Sequence, residues 1–106
     1  KSVRAEFKVP KAPFVIAACG FGGWDTTGKG SDRKLKVINA QLAVSGEKGK
    51  YPEFAGNVKT TESRDFWREK AQSPNPNQGY HYNRNAETYM EVGNALGWSM
   101  AELLKK

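Results

Sequence analysis

The most regular pattern in the chain comes last. Ala86, Tyr89, Met90, Gly93, Leu96, Gly97, Met100, Leu103 and Leu104 recur at helical spacing, which predicts an amphipathic helix from Asn83 or Asn85 to about Leu104. Gly93 and Gly97 lie four apart on this stripe, so the stripe is expected to pack closely on a sheet. Leu35, Ile38 and Leu42 stand at i, i+3 and i+7, with Val37, Ala40, Gln41 and Val44 beside them. They predict a second amphipathic helix of about a dozen residues, with Ser31 as N-cap, Asp32 in the first turn and Gly46 as the C′ stop.

Two shorter stretches read as strands. Phe14-Val15-Ile16-Ala17-Ala18-Cys19 is a continuous apolar run closed by Gly20, the pattern of a strand buried on both faces. Val58-Lys59-Thr60-Thr61-Glu62-Ser63 alternates and is rich in β-branched residues. Between these elements run a glycine-rich loop over 20–30, a second loop over 47–56 anchored by Tyr51 and Phe54, and a long irregular segment over 64–83. Proline and asparagine punctuate Ser73-Pro74-Asn75-Pro76-Asn77-Gln78-Gly79 throughout. The order strand, helix, strand, helix predicts a three-layer α/β/α domain with a parallel sheet, whose ligands sit beyond the carboxyl ends of the strands. Both unusual loops follow strands, so His81 and Trp24 are expected to share one rim.

Composition narrows the class. The chain has 106 residues, 38% hydrophobic and 26% charged, which suits one globular domain. Its longest apolar run falls well short of the roughly 18 residues of a membrane span, so no membrane partner is expected. Lys1–Lys8 has no signal-peptide core. Val3 and Phe7, four apart, read as the tail of a helix entered midway, and the chain is expected to be one partial domain, 1–106, excised from something larger. The formal charge of +6 is dispersed among apolar helix positions, so a solvated surface is a better account than a nucleic-acid interface. Cys19 is the single cysteine and cannot form an internal disulfide.

The glycines do not form a phosphate site. Gly20-x-Gly22-Gly23 lacks a third glycine opening a helix, and Gly28-Lys29-Gly30 lacks the following Ser or Thr. One histidine, one cysteine and scattered carboxylates supply no metal cluster, and no cofactor is implied. What remains is His81, the only histidine, set between Tyr80 and Tyr82 before the final helix. It can be a general base at the mouth of a helix or an ordinary loop residue. Trp24 and Trp67 read either as a sugar-stacking wall or as buried loop anchors. Tyr80 and Tyr82 either hold the histidine loop or touch substrate. Cys19 reads as an inert strand residue before it reads as a nucleophile paired with His81.

The blocks Arg64-Asp65-Phe66-Trp67, Ser73-Pro74, Gln78-Gly79-Tyr80-His81-Tyr82-Asn83-Arg84-Asn85-Ala86-Glu87-Thr88-Tyr89 and Gly93-Asn94-Ala95-Leu96-Gly97 resemble the C-terminal part of the sialic-acid-specific acetylesterase family. These are carbohydrate O-acetylesterases of the SGNH-hydrolase superfamily. The stretches Ala12–Ala17, Gly20–Trp24 and Ala40–Val44 resemble the section before it, so the likeness covers nearly the whole chain. The resemblance implies an SGNH or flavodoxin-like three-layer fold, of which this chain supplies the C-terminal strand-helix-strand-helix portion. It also implies a metal-free serine esterase acting on acetylated sugars, sialic acid or polysaccharide, secreted or periplasmic, with His81 as the general base.

The family's nucleophile sits in a Gly-Gln-Ser block, and no serine here has that context or a Gly-x-Ser-x-Gly elbow. Its missing N-terminal half, or another chain covering the open sheet edge, is therefore the expected partner, and the isolated chain is expected to be inactive. Many relatives place an aspartate three residues before the histidine; here that position is Gln78. A backbone carbonyl, or a carboxylate such as Asp65, is then expected to orient the imidazole, with Glu62 and Glu87 as poorer candidates. The rival reading is a carbohydrate-binding or structural α/β domain without chemistry.

Overall fold

A computed structural model describes residues 2–75 and 77–105. Its elements are α1 (Ser2–Glu6), β1 (Phe14–Ala17), α2 (Ser31–Ala43), β2 (Val58–Thr61) and α3 (Ala86–Leu104), with short 3-10 turns between them. The domain is a small mixed α/β unit. β1 and β2 form a two-stranded parallel sheet, in register from Phe14 opposite Val58 to Ala17 opposite Thr61. Among the described residues no helix is long and apolar enough to cross a membrane.

Consecutive strand residues point to opposite faces, and the hydrogen bonds of β2 use both. Thr60 Oγ1 donates to the Gln41 carbonyl on α2 at 2.5 Å, whereas Thr61 Oγ1 meets Ser99 Oγ on α3 at 2.6 Å. Lys59 also reaches α3, through an ion pair with Glu102. The apolar core is small: Ala18, Ile38 and Val58 are buried. Burying Ile38 contributes about 1.5–3 kcal/mol. Polar side chains fill much of the rest, with Thr60, Ser63, Asn83, Asn85, Thr88 and Ser99 all buried.

Several expectations change. The strands end at Ala17 and Thr61, and β1 is not enclosed on both faces, since Phe14 is exposed and Val15 to Ala17 are half-buried. Gly30, not Ser31, is the N-cap of α2, in a left-handed conformation at φ 89°. Ser31 is already the first helical residue, and its hydroxyl turns backwards to donate to the Gly28 carbonyl at 2.6 Å. Asn85 does cap α3, accepting from the Thr88 amide at 3.2 Å.

The largest correction concerns α3. The buried residues of α3 are Thr88 and Ser99, and of the predicted stripe only Leu96, Met100 and Leu103 are half-buried. Tyr89, Met90 and Leu104 are exposed, and nothing lies within 4 Å of the Cβ position of Gly93 or Gly97. These glycines do not mediate helix-to-sheet packing. Ser99 meets β2 through its hydroxyl, whereas Thr88 Oγ1 donates to the Phe66 carbonyl in the turn that follows β2, at 2.7 Å.

The sheet edges are partly closed from within. Gln41 accepts from the Cys19 amide at 2.8 Å and donates to the Ala17 carbonyl at 3.3 Å. Both groups lie on the outer edge of β1, because Phe14 and Ala18 turn their amides to β2. The carboxamide thus takes the two hydrogen bonds that a residue of a neighbouring parallel strand would make. On the outer edge of β2, Ser45 Oγ accepts from the Thr60 amide at 2.9 Å. Gly46 lies so close to that edge that a Cβ on it would stand 2.6 Å from the Val58 carbonyl oxygen.

Candidate functional site

The loops that leave the two strands meet at Tyr82. Its ring packs on Phe21 at 4.6 Å, on Trp67 at 6.3 Å and on Tyr89 at 5.7 Å, centroid to centroid. The Gly20 amide donates to its hydroxyl at 3.3 Å. Gly20 is needed there: a Cβ would stand 2.8 Å from the Ser63 carbonyl oxygen and 3.0 Å from the Tyr82 hydroxyl. Burial raises the Tyr82 phenol above the ordinary tyrosine range. Gly23, at φ 55°, lies against Trp67, whose Cβ and ring atoms come within 3.1–3.2 Å of a Cβ built on it. Residues 20–25, 63–67 and 79–84 are therefore one packed cluster at the carboxyl ends of β1 and β2.

Within it, Tyr82, Asn83 and Arg84 follow one another in the left-handed region, at φ 48°, 51° and 55°. Side chains beyond glycine and asparagine rarely adopt this conformation, at a cost of roughly 1–2 kcal/mol each. Surrounding bonds offset it. The Gln78 carbonyl accepts from the amides of both His81 and Asn83 at 2.8 Å. Gln78 Oε1 accepts from Arg84 Nε at 2.7 Å, and fully buried Asn83 donates to the Arg68 carbonyl at 3.4 Å. Asn85 closes the turn, its Nδ2 donating to the Gln72 carbonyl at 3.0 Å.

His81 stands at the head of this turn. Its amide is held by Gln78, and its carbonyl accepts from the Tyr89 hydroxyl at 2.8 Å. The imidazole is exposed. Its ring lies on Tyr80, itself exposed, at 4.6 Å, and among the described residues it makes no hydrogen bond. The main chain is thus pinned while the side chain stays exposed.

The other predicted residues form a second group on the rim. Asp65 accepts from the Trp24 indole nitrogen at 2.8 Å; no hydrogen bond joins it to His81 among the described residues. The Arg64 guanidinium lies 3.7 Å over one face of the Trp24 ring, and the residue as a whole is exposed. Trp67 is half-buried, with its indole nitrogen donating to Glu69 at 2.9 Å. Glu62 grips Arg64 through both oxygens, at 2.8 and 2.7 Å. The guanidinium holds the Glu62 carboxyl below its ordinary range and is itself raised by that partner. Glu87 faces Arg68 at 3.5 Å. Cys19 is half-buried, and its amide donates to Gln41 at 2.8 Å.

No protein-family model, no curated protein and no solved structure matches this chain.

Three features escaped the sequence. Arg64 had no signal, because its position over Trp24 depends on two loops meeting. Among the described residues, fully buried Ser63 has a hydroxyl with no hydrogen-bond partner, and the Asn83 side-chain oxygen is likewise unpaired. Asn83 alone had a local cue, since asparagine tolerates the left-handed region.

Proposed function

We propose that this chain carries the histidine side of a carbohydrate acetyl-ester hydrolase site, with His81 as general base. The observation that carries the reading is the left-handed turn over Tyr82–Arg84, which fixes the His81 backbone while its imidazole stays exposed and unpaired. Such strain persists where the surrounding structure over-determines it, and it clusters at functional sites. The resemblance of residues 64–97 to sialic-acid-specific acetylesterases supplies the chemistry. His81 takes the proton from an attacking serine hydroxyl, and the serine oxygen bonds to the acetyl carbon. The imidazolium then returns the proton to the leaving sugar oxygen.

The serine comes from a segment outside this chain or from another chain. On this reading the α2, sheet and α3 layers are the C-terminal part of a three-layer SGNH-type domain. Asp65, held by Trp24, becomes a rim residue that can reach His81 only by leaving its indole partner. The exposed rings of Trp24 and Tyr80 suit the sugar ring. If the same cluster only binds carbohydrate, those rings alone carry the function and His81 is dispensable.

The test uses p-nitrophenyl acetate and an O-acetylated sugar. The chain alone should hydrolyse neither. A longer protein that joins it to a Gly-Gln-Ser-bearing half should hydrolyse both. There, His81→Ala should lower kcat/KM by at least about a hundredfold. Its melting temperature should stay near that of the parent, because the side chain is exposed. Full activity in His81→Ala would remove the catalytic assignment. Retained sugar binding with no hydrolysis in any form would favour the binding module.

A further inference from the structure

The bare side of α3 has a symmetry of its own. At about 100° per residue, Ala86, Tyr89, Met90, Gly93, Gly97 and Leu104 occupy one arc of the helix that holds no charged residue. Met90 and Leu104 are each 68% exposed. Gly93 and Gly97 flank Ala95, the midpoint of the 19-residue helix, and the space over both is open. Two such helices laid antiparallel about that midpoint put Gly93 of one opposite Gly97 of the other, and Ala86 opposite Leu104. The glycines let the backbones approach at the centre, and the larger side chains pack toward the ends.

Charge favours the same orientation. Glu87 and Lys105 lie on one flank of the arc, near opposite ends of the helix. Antiparallel pairing sets like flanks side by side, so Glu87 of each copy comes near Lys105 of the other. Parallel pairing would bring each residue level with its own copy. Strand addition does not compete well, because Gln41 and Ser45 already occupy edge hydrogen bonds of β1 and β2.

We propose that the exposed arc of α3 is a self-association surface, on which a second copy of this chain docks antiparallel through a two-fold axis that passes between Gly93 and Gly97. Each helix is about 28 Å long, and two arcs bury on the order of 1,000 Å² in total, the low end for a specific interface. The dimer is therefore weak and concentration-dependent, with isologous contacts.

Sedimentation equilibrium from about 10 µM to about 1 mM brackets the affinity such an interface can have. The chain should move from monomer to dimer across that range. Gly97→Glu should weaken dimerisation by at least about tenfold while the monomer melts no lower, since an exposed helical glycine gains propensity on replacement. Lys105→Glu should weaken it, and Glu87→Lys combined with Lys105→Glu should restore it. A chain that is monomeric throughout overturns the proposal. So does a dimer indifferent to Gly97→Glu, or one that appears only when Gln41→Ala frees the strand edge.

Discussion

Gly20→Ala tests the packing that joins the strand ends to the histidine turn. The new Cβ would stand 2.8 Å from the Ser63 carbonyl oxygen, and ordinary contact begins near 3.4 Å. About 0.6 Å must therefore open between two backbone segments, with the Tyr82 hydroxyl also in the way at 3.0 Å. Overpacking of this kind costs about 1–3 kcal/mol. Gly20 has no left-handed φ, so alanine also restricts the unfolded chain and returns about 0.4–1 kcal/mol. The net destabilisation is about 1 kcal/mol, which lowers the melting temperature by roughly 4–8 °C in a domain of this size. The assay is thermal unfolding by circular dichroism. Gly28→Ala is the control, because its nearest neighbour would be Ser31 Oγ at 3.9 Å and it should melt at or slightly above the parent temperature. Equal melting of Gly20→Ala and the parent, or equal losses in both variants, would refute the reasoning.

Two further outcomes follow from polar contacts. Arg64 holds the Glu62 carboxyl below its ordinary range, so the pair contributes stability above the unfolded-state value of about 4.3 that is lost as pH falls through the lower folded value. In urea titrations, Glu62→Gln should therefore be less stable than the parent near neutrality, and the gap should close in acid; a gap independent of pH would contradict this. Asn85→Ala removes the α3 cap and the donors to Gln72 and Ser73, and should lower stability by about 1–2 kcal/mol in chemical denaturation. A change within about 0.5 kcal/mol, the range of an ordinary surface substitution, would mean that the cap is idle.

Much of the fold was legible because punctuation and periodicity agreed. Asn85 precedes the last apolar period and does cap α3, and both strands begin at their predicted residues. Periodicity identifies an apolar face without naming its neighbour, which is why the α3 stripe was assigned to the sheet. The fully packed positions are instead Thr88 and Ser99, hydroxyls that a hydropathy pattern scores as solvent-facing, while Tyr89, Met90, Gly93 and Gly97 of the stripe stay exposed. The meeting of the post-strand loops followed from element order. The partners of Asp65 and Arg64 did not, since they depend on the angle at which two loops cross. The left-handed turn was hidden for another reason: tyrosine and arginine are not residues that announce it.

That turn also bounds how far the chain can vary. Proline, with φ near −65°, is barred from positions 82, 83 and 84. β-Branched side chains are nearly so, and 83 should accept little beyond asparagine, glycine and aspartate. A saturation library over these positions, sorted for folded protein, should return a much narrower alphabet than one over the neighbouring residues 77–79. Drift toward the commonest amino acids would unwind the segment ahead of α3 before it touched His81 itself.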